Sequence, residues 1–208
     1  MIYFSIITTY LLMLQTTKTR RTTMDKNFSL MQTLNKPMNE TIVSKLDELL
    51  IDYIERHCKT FVMRLDVHLP KEMQQDGIMT FNHRFIEKEK RAGYDPVYVM
   101  AREISKKGNV HYHMALFLNG NKTKSIYPHI KNAEMVLNNV VGEENMDEAW
   151  IERCNKGHRN GILLKRDAIN LKDLREVKRQ SSYLAKLEQK ENVIGRTFFT
   201  SKNKKKVK

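Results

Sequence analysis

Apolar side chains recur along the chain with two different periods, and the period changes from one segment to the next. Between residues 41 and 57 they recur at steps of three and four, which predicts a helix with one buried face: Ile42, Leu46, Leu49, Leu50 and Ile54. Between residues 60 and 69 apolar residues alternate with more polar ones, and Pro70 follows. That alternation predicts a half-buried strand.

The later part of the chain divides in the same way. Further strands are predicted at residues 96–104, 110–118, 160–165 and 195–200, and further helices at residues 77–91, over most of 127–153, and at 171–190. Residues 105–109 contain Lys-Lys-Gly-Asn, a turn sequence that joins the second and third strands in a hairpin. A central hairpin surrounded by helices favours an α+β fold, with a largely antiparallel sheet flanked by helices.

The two ends of the chain differ from this central part. Residues 1–14 are strongly apolar, but they are shorter than the ~20 residues of a membrane-spanning helix. We interpret residues 1–40 as a flexible N-terminal extension, of which residues 1–23 precede Met24 and need not be native. A membrane-associating segment is the alternative, although no stable membrane association is expected. Residues 41–201 are predicted to form one domain, and the lysine-rich residues 202–208 a disordered basic tail.

The chain carries a net charge of +13. A basic excess of this size favours a polyanionic partner, and nucleic acid is the commonest one. Membrane surfaces and simple solubility remain open, because charge alone cannot separate them. The two cysteines are too few for a disulfide scaffold or a four-ligand zinc site, which favours a reduced, cytoplasmic protein.

One predicted strand contains His-Tyr-His. His111 and His113 are two residues apart, so both imidazoles project from the same face of the strand. Two sheet histidines without any ligand fit this short motif equally well. Glu103 lies across the predicted hairpin turn, where it can reach the histidines, although it could also be a solvated strand residue. A carboxylate with two imidazoles suits a divalent metal, Mg²⁺ or Mn²⁺, with positions left open for phosphate oxygens.

The last predicted helix carries a tyrosine beside three cations. At 100° per residue, Arg179, Lys186 and Lys190 fall within about 60° of Tyr183. A phenol with a pKa near ~10 attacks poorly, and neighbouring cations favour phenolate and stabilise a phosphorane-like transition state. The alternative is a half-buried tyrosine on a plainly solvated basic face.

Taken together, the histidine strand and the later Tyr-x-x-Lys resemble HUH endonucleases, which are rolling-circle replication initiators and relaxases. More narrowly, the chain resembles the inovirus and prophage replication proteins with the YagK/YfjJ C-terminal domain. The matching segments are FVMRLDVHLP at 61–70, YVMARE at 98–103, NVHYHMALFLNG at 109–120, SSYLAK at 181–186 and GRTFFTS at 195–201.

This resemblance implies a five-stranded antiparallel sheet flanked by helices. It implies that His111 and His113 bind the metal, with Glu103 as the third ligand, and that Tyr183 becomes joined to a DNA 5′ phosphate. Lys186 would orient phosphate or metal-bound groups. Asp66 and His68 lie in the first matching segment, but we do not predict them to be ligands.

The expected function is metal-dependent nicking and joining of single-stranded DNA at a replication origin of a phage, prophage or plasmid. Arg102, Arg179 and Lys190 are the expected DNA contacts. The chain has no second tyrosine after Tyr183 and no helicase motif, so a single nucleophile is expected, with a host helicase and polymerase as partners. A catalytically inactive DNA-binding regulator is the alternative, and an RNA-binding module is a weaker one, because no RRM-type aromatic motif is present.

Overall fold

A computed structural model describes residues 37–73, 76–105, 109–154, 159–187 and 196–201. The four helices of these segments are α1 (Glu40–Arg56), α2 (Asp76–Arg91), α3 (Tyr127–Val141) and α4 (Leu171–Ser182). The strands are β1 (Lys59–His68), β2 (Val97–Ile104), β3 (Val110–Asn119), β4 (Trp150–Glu152), β5 (Ile162–Lys165) and β6 (Phe198–Thr200). Short 3₁₀ turns cover Lys71–Met73, Glu143–Glu148, Arg166–Ala168 and Tyr183–Ala185.

All six strands belong to one antiparallel sheet, in the order β4-β1-β3-β2-β6. The remaining strand, β5, pairs with the first half of β1, while β4 pairs with its last three residues, so both lie along the same edge. The predicted α+β architecture with an antiparallel sheet flanked by helices is confirmed. Residues 1–36 and 202–208 lie outside the described residues, and so do residues 106–108 of the turn predicted at 105–109.

Helices pack on both faces of the sheet, because the strands present apolar side chains on each face. On one face, α2 and α3 pack onto a core that includes Met63, Leu65, Met114 and Leu116. On the other face, α1 and α4 cover only part of the sheet, packing onto Val62, Val99 and Phe117 among others. Further along this second face the strands carry polar residues, and the candidate site lies there.

Two predicted helices end earlier than expected. The helix predicted over most of 127–153 stops at Val141, because Gly142 adopts a positive φ of 76°. The following residues form a 3₁₀ turn and then β4. This strand is additional to the five predicted from the sequence. Three residues of edge pairing are too short to show an alternation.

The prediction of a helix at 171–190 was also wrong from residue 183 to 187, and residues 188–190 lie outside the described residues. The α-helical part ends at Ser182, and Tyr183–Ala185 form a 3₁₀ turn. Backbone groups that a longer helix would use are paired instead with the segment before α1. Asn39 donates its backbone N–H to the carbonyl of Ala185, at 2.6 Å, and Leu187 donates to the carbonyl of Pro37. Residues 37–39, predicted to be part of a flexible extension, are therefore hydrogen-bonded to the backbone that follows α4.

Candidate metal centre

Strand β3 carries two histidines on one face of the sheet. The ring centroids of His111 and His113 lie 4.7 Å apart, and the ring planes are nearly perpendicular at 83°. Val110, Tyr112 and Met114 belong to the core on the opposite face. The structure thus places the two imidazoles side by side, as the alternation of the strand predicts.

Glu103 on β2 is the register partner of His111. Its Oε2 atom lies 2.9 Å from Nε2 of His113 and 3.7 Å from Nε2 of His111. One ligand atom from each of the three residues lies within 4.8 Å of the others. Glu103 is only 1% exposed, and a carboxylate buried this deeply requires a cation or strong hydrogen-bond donors. These three residues, called the metal triad below, could therefore bind a metal ion.

Asp66 on β1 lies behind the metal triad and orients His113. Its Oδ1 atom is 2.7 Å from Nδ1 of His113. In the neutral imidazole that a metal requires, the carboxylate accepts the Nδ1 proton, and the lone pair is left on Nε2, the nitrogen nearest Glu103. In the protonated imidazole, Nε2 instead donates to Glu103. Burial alone would lower the pKa of His113, but the hydrogen bonds to Asp66 and Glu103 outweigh it and raise that pKa. Burial would raise the pKa of Asp66, but His113 and Arg64 hold it well below its usual range.

Arg64 compensates the buried charge of Asp66. Its Nη2 and Nε atoms donate to the two carboxylate oxygens at 3.0 and 3.2 Å. Nη2 also lies 2.9 Å from Nδ1 of His113. Since a guanidinium only donates, and Nδ1 donates its proton to Asp66, that approach is not a further hydrogen bond. Burial opposes protonation of Arg64, but Asp66 outweighs it and raises the pKa, with Tyr183 acting in the same direction.

Tyr183 stands directly over this arrangement. Its ring meets the ring of His113 edge to face, with centroids 5.2 Å apart and planes at 89°. The Nζ atom of Lys186 lies 3.2 Å from the centroid of the tyrosine ring, and Cζ of Arg64 lies 4.1 Å from it. The structure therefore brings the predicted nucleophile and its predicted lysine together with the metal triad, although Lys186 comes there from a 3₁₀ turn and not from a helix face.

The other three residues predicted to contact DNA differ in where the structure places them. Arg179 donates through Nε and Nη2 to the carboxylate of Glu176, at 2.8 and 2.6 Å. The register partner of Arg102 is Tyr112, which places Arg102 on the sheet face opposite the metal triad. Lys190 lies outside the described residues. Their contribution to DNA binding stays a prediction.

The polar side chains of β1 also belong to the site, although the sequence did not lead us to predict a role for them there. Arg64, Asp66 and His68 alternate with the core residues of that strand, so they share the face of the metal triad. The ring of His68 stacks on that of His111, with centroids 5.6 Å apart. The sequence does contain a pattern that indicates this, because the two-residue period that puts His111 and His113 on one face also runs through RLDVH.

Fold and site together define an α+β protein with a candidate metal centre of one carboxylate and two imidazoles beneath a tyrosine. The chain belongs to the YagK/YfjJ C-terminal domain family, whose model matches residues 18–201. This family is found in prophage proteins. Comparison with curated proteins and with solved structures finds no match. Among the helices that the structure describes, none has both the length and the apolar character needed to cross a membrane.

Proposed function

We propose that this protein nicks and rejoins single-stranded DNA through a covalent 5′-phosphotyrosine formed on Tyr183. The observation that carries the proposal is the contact between the ring of Tyr183 and the ring of His113, a member of the metal triad. A nucleophile candidate and a candidate metal centre thus face the same space. Neither element would support this function alone.

In the proposed step the phenol oxygen of Tyr183 attacks the phosphorus and loses its proton to water. The new bond joins that oxygen to the 5′ phosphate, and the bond from phosphorus to the 3′ oxygen breaks. The departing 3′ oxygen takes a proton from water and becomes a 3′ hydroxyl that can prime synthesis. Attack by the 3′ hydroxyl on the phosphotyrosine reverses the step and rejoins the strand.

Each neighbouring side chain has a role that follows from its contacts. Lys186 and Arg64 place positive charge against the tyrosine ring, which favours the phenolate and the negative charge that develops on the phosphate. Asp66 holds the His113 ring in one orientation. Mg²⁺ or Mn²⁺ held by Glu103, His111 and His113 would withdraw charge from the scissile phosphate.

The biological setting is initiation of rolling-circle replication of a phage, prophage or plasmid in the cytoplasm. Membership of a family found in prophage proteins supports it. The net charge of +13 supports a nucleic-acid partner, here single-stranded DNA at an origin. A host helicase and polymerase would act on the nicked product.

The test is formation of a protein–DNA adduct. Purified protein is incubated with Mn²⁺ and a randomised pool of single-stranded oligonucleotides labelled at the 3′ end, and products are separated on a denaturing gel. The labelled strand should migrate with the protein, and sequencing it would give the preferred site. Tyr183→Phe and chelator should abolish the adduct. Tyr127→Phe, at an exposed tyrosine on α3, is the matched control and should keep it. An adduct of equal yield in Tyr183→Phe would exclude Tyr183 as the nucleophile.

The net charge of +13 also supports a second candidate, a catalytically inactive DNA-binding regulator. Its affinity would come from basic charge and would not depend on the metal triad. The double variant His111→Ala, His113→Ala separates the two. If the protein is a regulator, the wild type should form no adduct. The double variant should then bind DNA as tightly as the wild type, with chelator present.

A further inference from the structure

A row of directly opposed residues crosses four strands and starts at the metal triad. Glu103 on β2 is opposite His111 on β3, which is opposite His68 on β1, which is opposite Trp150 on β4. The rings stack in the same order. The centroids of His111 and His68 are 5.6 Å apart, and those of His68 and Trp150 are 4.1 Å apart at an angle of only 8°. A continuous aromatic stack therefore leads from the candidate metal centre to the edge of the sheet.

Trp150 ends this stack with half of its surface in solvent. Its exposure is 51%. This is a large apolar surface to leave in water, because burying an aromatic side chain removes about 150–250 Å² from water and stabilises a core strongly. One face of the indole lies on the His68 ring, so only the opposite face can accept a further ring. The other large hydrophobic side chains exposed in the described segments lie on helices or turns and not on strands: Met79, Tyr127, Met135, Met146 and Leu187.

We propose that the indole of Trp150 is a stacking platform for one unpaired nucleobase of the bound DNA strand. This inference rests on the proposed function, which places a phosphate of that strand at the metal triad. The ring spacings put Trp150 within roughly three nucleotides of that phosphate, at ~3.4 Å per stacked nucleotide. The stack of protein rings would then continue into the bases.

The surroundings of Trp150 favour a base over a phosphate as its partner. Glu152, on the same edge strand, holds a carboxylate oxygen 3.7 Å from Nε2 of His68, and this negative charge repels the DNA backbone. The π-face of a base is neutral and is free only when the base is unpaired and unstacked. Stacking tolerates every base, so Trp150 should set affinity and preference for single strands without selecting the origin sequence.

The experiment uses the fact that Trp150 is the single tryptophan of the chain. Fluorescence of the full-length wild type is followed during titration with an oligothymidylate and, separately, with a hairpin duplex, while anisotropy of a label on the DNA reports binding. Single-stranded DNA should quench the tryptophan in parallel with binding, and the duplex should quench it much less at equal occupancy. Unchanged tryptophan fluorescence with single-stranded DNA bound would overturn the proposal.

Substitution gives a second, independent measurement. Trp150→Ala should weaken binding of the oligothymidylate by about 5- to 150-fold, and Trp150→Phe by less. Tyr127→Ala, which removes an equally exposed aromatic ring from α3, should leave affinity unchanged, and thermal unfolding of each variant checks the fold. Wild-type affinity in folded Trp150→Ala would also overturn the proposal. If such a variant still forms the Tyr183 adduct, the platform is wrong and the nicking function stands. If the wild type forms no adduct, the nicking function itself fails.

Discussion

Asp66→Asn is the most informative change at the candidate metal centre, because it removes a charge while keeping the shape of the side chain. In the wild type the Asp66 carboxylate accepts from Nδ1 of His113 at 2.7 Å and from Arg64 at 3.0 and 3.2 Å. Oδ1 accepts from both Nδ1 of His113 and Nε of Arg64, so an amide that keeps its oxygen at this position still satisfies those two donors. Its NH₂ group then faces Nη2 of Arg64, and the hydrogen bond from Nη2 is lost. The buried guanidinium also loses its counter-charge.

The expected loss of stability follows from these contacts. A hydrogen bond to a charged group contributes about 1.5–3 kcal/mol, and one such bond is lost. At ~2–4 °C per kcal/mol for a chain of this size, the thermal midpoint should fall by roughly 3–12 °C. Asp52→Asn is the matched control. It removes the 2.9 Å ion pair of Asp52 with Arg56 on α1, where both side chains are half-buried. Because Arg56 keeps a second carboxylate partner, Asp95, the loss should be smaller, about 1 kcal/mol.

Metal affinity is the second quantity to measure, by titration calorimetry with Mn²⁺. Mutation of the group that holds the second nitrogen of a ligating histidine typically weakens metal binding by about 10- to 100-fold. At a Mn²⁺ concentration of 100 wild-type Kd, the metal should stabilise the wild type by ~2.7 kcal/mol, but Asp66→Asn by only about 0.4–1.4 kcal/mol. Equal Mn²⁺ affinity in the wild type, Asp66→Asn and Asp52→Asn would refute a contribution of the Asp66 charge to metal binding.

Three further predictions concern separate parts of the molecule. Lys186→Met should reduce the rate of adduct formation by about 10²- to 10³-fold, because it removes a cation at the reacting tyrosine, and Lys186→Arg should restore part of the rate in a single-turnover gel assay. Burial lowers the pKa of Lys178 to about 8, so the folded protein binds this proton more weakly than the unfolded chain. Wild-type stability should therefore rise relative to that of Lys178→Met between pH 8 and 10.5, and chemical denaturation showing a constant difference would contradict this. Glu89→Leu should cost about 1–3 kcal/mol in the same assay for each buried donor that loses its acceptor, namely Nδ1 of His129 at 2.6 Å and the side-chain amide of Asn132 at 2.8 Å. Glu87→Gln, at an exposed pair on the same helix, should cost less than about 1 kcal/mol.

The two-residue period of the strands was the most reliable guide to the site. It placed His111 and His113 on one face, and the length of the hairpin turn placed Glu103 beside them. Those placements depend only on local backbone geometry, which the sequence pattern reports directly. The contribution of β1 was harder to foresee, because whether its polar face turns to solvent or to a site depends on which strand pairs with it.

The surroundings of Tyr183 could not be foreseen from a helical wheel. The wheel assumes that α4 continues, whereas the helix ends one residue before the tyrosine. What ends it is a long-range contact, in which Pro37 and Asn39 take up hydrogen bonds with the backbone that follows Tyr183. Local pattern contains no information about a partner so distant along the chain. The lysine that the wheel placed near the ring does lie there, but for a different reason.

That reason connects the fold to the proposed chemistry. Lys186 leaves the 3₁₀ turn with an extended ψ of 134°, and its Nζ atom then lies 3.2 Å from the centroid of the tyrosine ring. The turn is fixed from one side by Leu184 and Ala185, which are fully buried in the core under α1, and from the other by the hydrogen bond from Asn39. Tyr183 is therefore followed directly by a buried and hydrogen-bonded anchor, while its own ring lies against His113 on the polar part of the sheet. As the proposed nucleophile, Tyr183 held in this way would lose little conformational entropy when substrate binds, and this pre-organisation is what positioning contributes to catalysis.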